Sequence, residues 1–420
     1  MTNIETSTTK DLQMYIQTAH NIGKYLSKEA IWHQNMCNWT SHEVAVVGDK
    51  YETAVKACSI DLYSGLTGIA LFLTELYNKI NDPIVLHTIN GTLNTIDFNL
   101  EKKNVNNYGY YSGKIGVGFT LWRIGKKLGN PSISEKGLQC VKSVKGLEIT
   151  DQEVDIISGA AGSISVLLKL YYAVQDDTFL EIANDCGQFL LNKMQQNGQV
   201  CSWMTVDPTN ALTGYSHGAC GIASALMELY ATTKNEAYWH AAIGGFNYEK
   251  QWFNEQSQNW PDLRQYDGTK PLHYGTMWCH GAPGIAIAHL KAYEMTQQTY
   301  FLQEAKTALE TTKRSVIKET NVNTKANFSL CHGLAGNADI LLHAYQLLED
   351  PTYIQVAQNV GDFGIAQYDK TGTIFPSGVN DPSGFTIGQQ ENVGLMLGLS
   401  GTGLFYLRLA DIMIPSALVP

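Results

Sequence analysis

HGAPGIAIAHLKAY, residues 280–293, sets a Gly-Xaa-Xaa-Gly turn directly before an apolar run, and the same arrangement recurs along almost the whole chain. The other copies are SGLTGIALFLTELY from Ser64, SGKIGVGFTLWRIG from Ser112, SGAAGSISVLLKLY from Ser158, HGACGIASALMELY from His217, HGLAGNADILLHAY from His332 and LGLSGTGLFYLRLA from Leu397. Their first glycines (Gly65, Gly113, Gly159, Gly218, Gly281, Gly333 and Gly398) stand 46 to 65 residues apart, a length that suits two helices and their connections. Within a copy, apolar residues such as Ile69, Phe72, Leu73 and Leu76 fall at three- and four-residue spacing, which marks an amphipathic or buried helix. A second helix is expected between copies. Turn and proline announce it in NDPIVLHTI, GNPSISEKGL and EDPTYIQVAQ, where Pro83, Pro131 and Pro351 suit a first helical position. Helix pairs repeated seven times must bury their apolar faces against their neighbours, so the expected class is all-α, as a solenoid or, if the ends meet, a closed ring.

Two segments lie outside the repeat. The first 61 residues read as an N-terminal helical segment ahead of the first copy, with a helix over 11–32 and a less regular stretch over 34–61 that contains Trp39. Between Asn247 and Met277 an aromatic-rich loop carries NWPDLRQYDG. Either stretch could line a peptide groove, although aromatics of this kind are more often structural. The whole, residues 1–420, reads as a single domain.

Formal net charge is −10, which disfavours nucleic acid and anionic membrane surfaces as partners. A neutral or basic peptide meets less repulsion. No run of 18 or more apolar residues marks a membrane span, and the start MTNIETSTTKDLQMY lacks the basic and apolar regions of a secretory signal. Cytoplasmic residence is therefore the expectation, with any membrane association coming through partners. The eight cysteines are scattered without a CxxC, which fits a reducing compartment.

The chemistry lies in the residues around the first glycine of each turn. Just before that glycine, Ser changes to His in three consecutive copies, at His217, His280 and His332. Cysteines precede two of these, Cys279 in WCHG and Cys331 in LCHG. If the repeats surround a shared axis these turns converge, and Cys279, Cys331 and His332 would make a Cys₂His zinc site with an open fourth position, as catalytic zinc requires. Buried apolar cysteine and helix-capping histidine are the alternative. A free thiol of pKa about 8.5 is only about 3% ionised at pH 7, so coordination would raise its thiolate fraction roughly thirtyfold, or about 2 kcal/mol. His217 is either a general acid for an addition that ends in protonation at carbon or a capping histidine. Asp155 is either its partner or a loop carboxylate. His280 is a second acid or a supporting group, and is not counted as a fourth ligand.

With WCHGAPGI and LCHGLAGN in place over repeat turns spanning about residues 64 to 403, the chain resembles the lanthionine synthetase C-like family of lanthipeptide cyclases. The wording of LYSGLTGIALFL and LGLSGTGLFYLRLAD is most similar to the cyclase half of the bifunctional lanthipeptide synthetases. The resemblance implies a double-layered α/α toroid of seven inner and seven outer helices, with zinc on Cys279, Cys331 and His332. It places the catalytic histidine on His217 and the catalytic aspartate on Asp155. It further implies zinc-assisted addition of cysteine thiols to dehydroalanine or dehydrobutyrine in a precursor peptide that carries a leader. Where single-function relatives have Tyr after the first zinc cysteine, this chain has His280. Their arginine would fall on Gly275, which receives no role. With 420 residues and no room for a dehydratase domain, a separate dehydratase and a transporter are the expected partners. Thiol addition from a small molecule such as glutathione, a non-catalytic peptide-binding scaffold and an α/α-toroid glycosidase are the rival readings.

Overall fold

The computed structural model describes residues 9–47, 50–102, 107–322, 327–379 and 391–420. Fourteen α-helices occur among them: α1 (Thr9–Glu29), α2 (Leu66–Ile80), α3 (Pro83–Lys102), α4 (Lys114–Lys127), α5 (Pro131–Lys142), α6 (Ala160–Val174), α7 (Asp177–Lys193), α8 (Ala219–Thr233), α9 (Glu236–Trp252), α10 (Ala282–Thr296), α11 (Thr299–Val322), α12 (Leu334–Leu348), α13 (Pro351–Gly364) and α14 (Leu399–Ala410). The expected all-α class is thus observed, and each glycine turn opens an even-numbered helix. No described helix is long and apolar enough to cross a membrane.

The two sets of helices differ in burial as their sequences differ in pattern. The repeat helices are buried on every side, without a break over Leu66–Leu76 in α2, Ala282–Ala292 in α10 and Leu399–Leu409 in α14. Helices of the other set bury one stripe, as α7 does with Phe179, Ile182, Ala183, Cys186 and Leu190. Pro83, Pro131 and Pro351 each open a helix, as the sequence predicts. Side chains cap others: Asp176 accepts from Thr178 N–H, Asn235 from Ala237 and Asp350 from Thr352.

Chain contacts divide into two compact units. One is formed by the chain up to Asn104 with Arg123–Ile133 and Ser315–Val419, the other by Val105–Trp122, Ser134–Arg314 and Pro420. In the first, α14 packs on α1, α2 and α12, and Arg408 of α14 is buried against Asp339 of α12. In the second, α8 packs on α6, α9 and α10, and Lys291 of α10 meets Glu228 of α8 at 2.8 Å.

Helix is not the whole content of residues 1–61. The reading of a helical N-terminal segment holds only to Glu29, after which the chain makes two antiparallel hairpins, β1 (Ile31–His33) with β2 (Met36–Asn38) and β3 (Thr40–Val47) with β4 (Lys50–Ala57). A third hairpin joins β5 (Gln195–Asn197) to β6 (Val200–Ser202). Trp39 and Trp203, each following a hairpin, donate their indole N–H to Leu26 and Leu190 O at 2.8 Å, satisfying carbonyls left open near the ends of α1 and α7. Trp260, in the aromatic loop, does the same for Glu249 O at the end of α9 (3.1 Å). Trp39 and Trp260 are 2% and 1% exposed, so both are structural and neither lines a groove.

Candidate active site

The turns before the repeat helices share one construction. The first helical N–H bonds to the carbonyl seven residues earlier in six copies: Leu66 to Ser59, Lys114 to Asn107, Ala160 to Glu153, Ala219 to Leu212, Leu334 to Asn327 and Leu399 to Asn392, at 2.8 to 3.0 Å. The loop thereby folds back over the helix start, and no side chain of the capping glycine is needed. The second glycine of each turn permits this closeness. A Cβ on Gly162, Gly221 or Gly336 would lie 1.8 to 1.9 Å from the carbonyl oxygen of Ile156, Tyr215 or Leu330. Gly281 differs, with φ of +96°, and there Ala282 N–H bonds to the side-chain oxygen of Asn259 instead (2.9 Å).

Neighbouring turns are tied through backbone two or three residues before the first glycine. In the first unit Cys331 N–H donates to Met396 O (2.9 Å), and Met396 N–H donates to Tyr63 O (2.8 Å). In the second, Ser216 donates to Cys279 O from its N–H (3.3 Å) and its hydroxyl (3.1 Å), and Ile156 N–H donates to Ser216 O (3.0 Å). Side chains at these positions are therefore held at fixed places on a rigid frame.

In the second unit, His217 Nδ1 lies 2.5 Å from Asp155 Oδ2, so the two residues singled out in the sequence are in direct contact. The Asp155 side chain is 2% exposed and its other oxygen accepts Ser158 N–H (2.7 Å), which fixes the carboxylate, while His217 retains 18% exposure and an outward Nε2 edge. Thr205 hydroxyl donates to His217 O (2.7 Å). His280 is 2% exposed, with its ring centre 5.9 Å from that of His217 and its Nδ1 3.9 Å from Asp262 Oδ1. Burial would raise the Asp262 carboxyl, but the Arg264 guanidinium and the charge of His280 outweigh it and hold the group below the usual carboxylate range. Cys279 is buried beside Trp278, whose ring packs edge-on against Tyr111 (5.4 Å) and Tyr215 (5.9 Å).

In the first unit, His332 Nε2 lies 2.7 Å from Gly378 O. A carbonyl can only accept, so Nε2 carries the hydrogen and the neutral ring keeps its lone pair on Nδ1. Asn327 fixes the same residue by donating to His332 O (3.1 Å). The buried Cys331 sulfur accepts a hydrogen bond from the Tyr63 hydroxyl at 3.0 Å. Burial pushes the thiols of Cys37, Cys140, Cys186, Cys201 and Cys220 upward, Cys140 to about 11, which leaves those five poor thiolates. Sequence reasoning missed Tyr63, Gly378 and Glu249, whose Oε1 accepts the N–H groups of Gly214 and Cys220 (2.9 Å each) on either side of His217. Tyr63 was within reach of it, because it fills in the first copy the position that Cys331 fills in the sixth. Gly378 lies outside the repeat and carries no signal.

Residues 57–419 match the family model described as lanthionine synthetase C-like protein. Among curated relatives, a lacticin 481/lactococcin biosynthesis protein of Lactococcus lactis subsp. lactis is 29% identical over 322 residues, covering 74% of this chain and 32% of that protein. The chain thus spans about a third of that relative's length. The nisin biosynthesis protein NisC of the same organism is 26% identical over 76% of this chain and 83% of its own. A glutathione S-transferase of Danio rerio is 24% identical over 72% of this chain and 73% of its own. Among solved structures, a nisin cyclase superposes with a TM-score of 0.64 at 19% identity, over 84% of this chain and 89% of that one. A GH76 α-mannanase of Bacteroides thetaiotaomicron superposes with 0.54 at 14% identity, over 95% and 96%, which is likeness of fold alone.

Proposed function

Since the chain belongs to the lanthionine synthetase C-like family, we propose that it closes thioether rings in a dehydrated precursor peptide, adding a cysteine thiol to a dehydroalanine or dehydrobutyrine of the same peptide. The observation that carries the reading is the His217–Asp155 contact of 2.5 Å, an imidazole with an exposed edge held by a buried carboxylate.

Zinc is the cofactor of this proposal, on Cys279, Cys331 and His332, the group that the described residues offer for a metal ion. The donor set fits. Two buried sulfurs and an imidazole whose Nε2–H is already committed to Gly378 O leave a ligand nitrogen fixed in its tautomer. When bound, the metal would supply the positive charge that keeps a substrate thiol ionised at neutral pH, with two thiolates balancing that charge.

The remaining work falls to the chain's own groups. His217 delivers the proton that the α-carbon needs once sulfur has bonded to the β-carbon, because addition leaves an enolate that must be quenched at carbon. Asp155 holds that ring by Nδ1 and so aims Nε2 outward. His280, packed beside His217, is either a second acid or a group that supports the first. The S–H bond and the C=C π bond are lost, C–S and C–H bonds form, and the peptide's mass does not change. A dehydratase, a leader on the precursor peptide and a transporter are the partners of this proposal, and a reducing cytoplasm would keep the thiolates available for metal.

A second reading has one observation in its favour, the similarity to a glutathione S-transferase of Danio rerio. Incubating the purified chain, zinc content measured, with a dehydrated cysteine-containing peptide in the presence of glutathione decides between them. Loss of free thiol at constant mass is expected for ring closure, whereas a glutathione-sized gain supports the second reading. Thiols that persist unchanged overturn both.

A further inference from the structure

We propose that Tyr63 is a positioning residue of the metal centre, donating a hydrogen bond to the Cys331 sulfur that draws charge from this ligand and fixes its direction. The inference rests on the reading of Cys331 as a zinc ligand.

The Tyr63 hydroxyl lies 3.0 Å from Cys331 Sγ, inside the range of an O–H···S bond. Its placement follows from the backbone. Met396 N–H bonds to Tyr63 O at 2.8 Å and Cys331 N–H bonds to Met396 O at 2.9 Å, so a single residue of the last turn holds the base of the phenol and the base of the thiol. Ser64, next in sequence, is anchored by its N–H to Asp61 Oδ1 (2.9 Å). Phenol and sulfur therefore meet on a frame made of main-chain bonds.

A thiolate that accepts a hydrogen bond holds its lone pairs at lower energy. It donates less charge to a metal and is a weaker nucleophile. In a site where a substrate sulfur must react and the protein's own sulfurs must not, that difference between sulfurs is useful chemistry. Cys331 carries the tyrosine hydrogen bond; a substrate thiol arriving at the open position does not inherit it.

Cobalt(II) in place of zinc in the full chain tests this without a turnover assay, because the thiolate-to-cobalt charge-transfer band reports the energy of the sulfur lone pairs. For Tyr63→Phe the band should move to lower energy while the visible bands of a tetrahedral site persist, and zinc affinity should fall roughly tenfold. A site-specific 3-fluorotyrosine at 63, a stronger donor, should move the band the opposite way, and it serves if the Phe variant folds poorly. An unmoved band in both variants, with wild-type metal content, overturns the role of Tyr63. A wild-type protein with no thiolate-to-cobalt band overturns the metal reading itself, and the two failures are thereby distinct.

Discussion

Glu249→Gln should free the protein from a loss of stability that grows between acid and mildly alkaline pH. The Glu249 side chain is 1% exposed, its Oε1 accepts two backbone N–H groups, and its buried Oε2 has no hydrogen-bond partner among the described residues. Burial pushes its carboxyl from 4.5 up to about 8, only partly opposed by the N–H groups of Cys220 and Gly214. From about pH 4.5 to about pH 8 the folded protein thus keeps a proton that the unfolded chain has lost. The folded-state value is raised, so stability is greatest below the unfolded value and declines as pH climbs to the folded one. At about 1.4 kcal/mol per pH unit the decline is on the order of 4–5 kcal/mol. Glutamine keeps an acceptor for both N–H groups and places an NH₂ where the acid held its hydrogen, so the variant should match wild type near pH 5 and gain on it steadily toward pH 8. Thermal or urea unfolding of the two proteins side by side across that range reads the difference directly, and other titrating groups cancel. Parallel stability curves would refute the argument.

Three further outcomes follow from the same geometry. Asp155→Asn should leave zinc content unchanged and slow ring closure by roughly 10² or more, since the carboxylate that holds His217 is lost while the fold keeps its shape; thiol counting and metal analysis check the two halves. Gly336→Ala sets a Cβ 1.8 Å from Leu330 O and should block folding, visible as loss of soluble protein, whereas Gly129→Ala meets no atom within 4 Å and should lose only about 1 kcal/mol to its φ of +63°. Arg408→Met strands the buried Asp339 carboxylate and should cost about 3–5 kcal/mol in urea unfolding, much of it recovered when Asp339→Leu is added, which would not happen if the arginine acted only through packing.

The fold was legible because its determinant is periodic. Seven glycine turns with apolar runs behind them can be counted in the chain, and the prolines at 83, 131 and 351 mark where the partner helices begin. The hairpins were missed for a local reason. MCN and QQN are strands of three residues, too short for alternation to stand out, and the longer β3–β4 pair lies in a stretch read as irregular, where HEVAVV ends in a short apolar run and YETAVKA sets Tyr51, Thr53, Val55 and Ala57 at every second position. Asp155 and His217 could be singled out from their repeat positions, yet their contact spans 62 residues and depends on neighbouring turns bonding through Ile156 and Ser216. Glu249 was beyond reach, as it belongs to a helix of the other set and touches the His217 turn only through backbone N–H groups.

What separates legible from hidden here is a division between frame and chemistry. The two residues before the first glycine read Tyr-Ser, Tyr-Ser, Ile-Ser, Ser-His, Cys-His, Cys-His and Met-Leu along the seven turns. The bonds that position them, such as Cys331 N–H to Met396 O and Met396 N–H to Tyr63 O, use no side chain, so the frame survives whatever residue occupies a position. A sequence repeat therefore announces the frame in every copy, while a reactive group is announced only where its residue type is rare. Cysteine and histidine stand out at these positions. Tyrosine occurs at two of the seven and looks like packing until its hydroxyl is found 3.0 Å from a sulfur. For the same reason Tyr63→Phe should perturb the sulfur and leave the frame intact, because the Met396 N–H to Tyr63 O and Ser64 N–H to Asp61 Oδ1 bonds do not use the phenol.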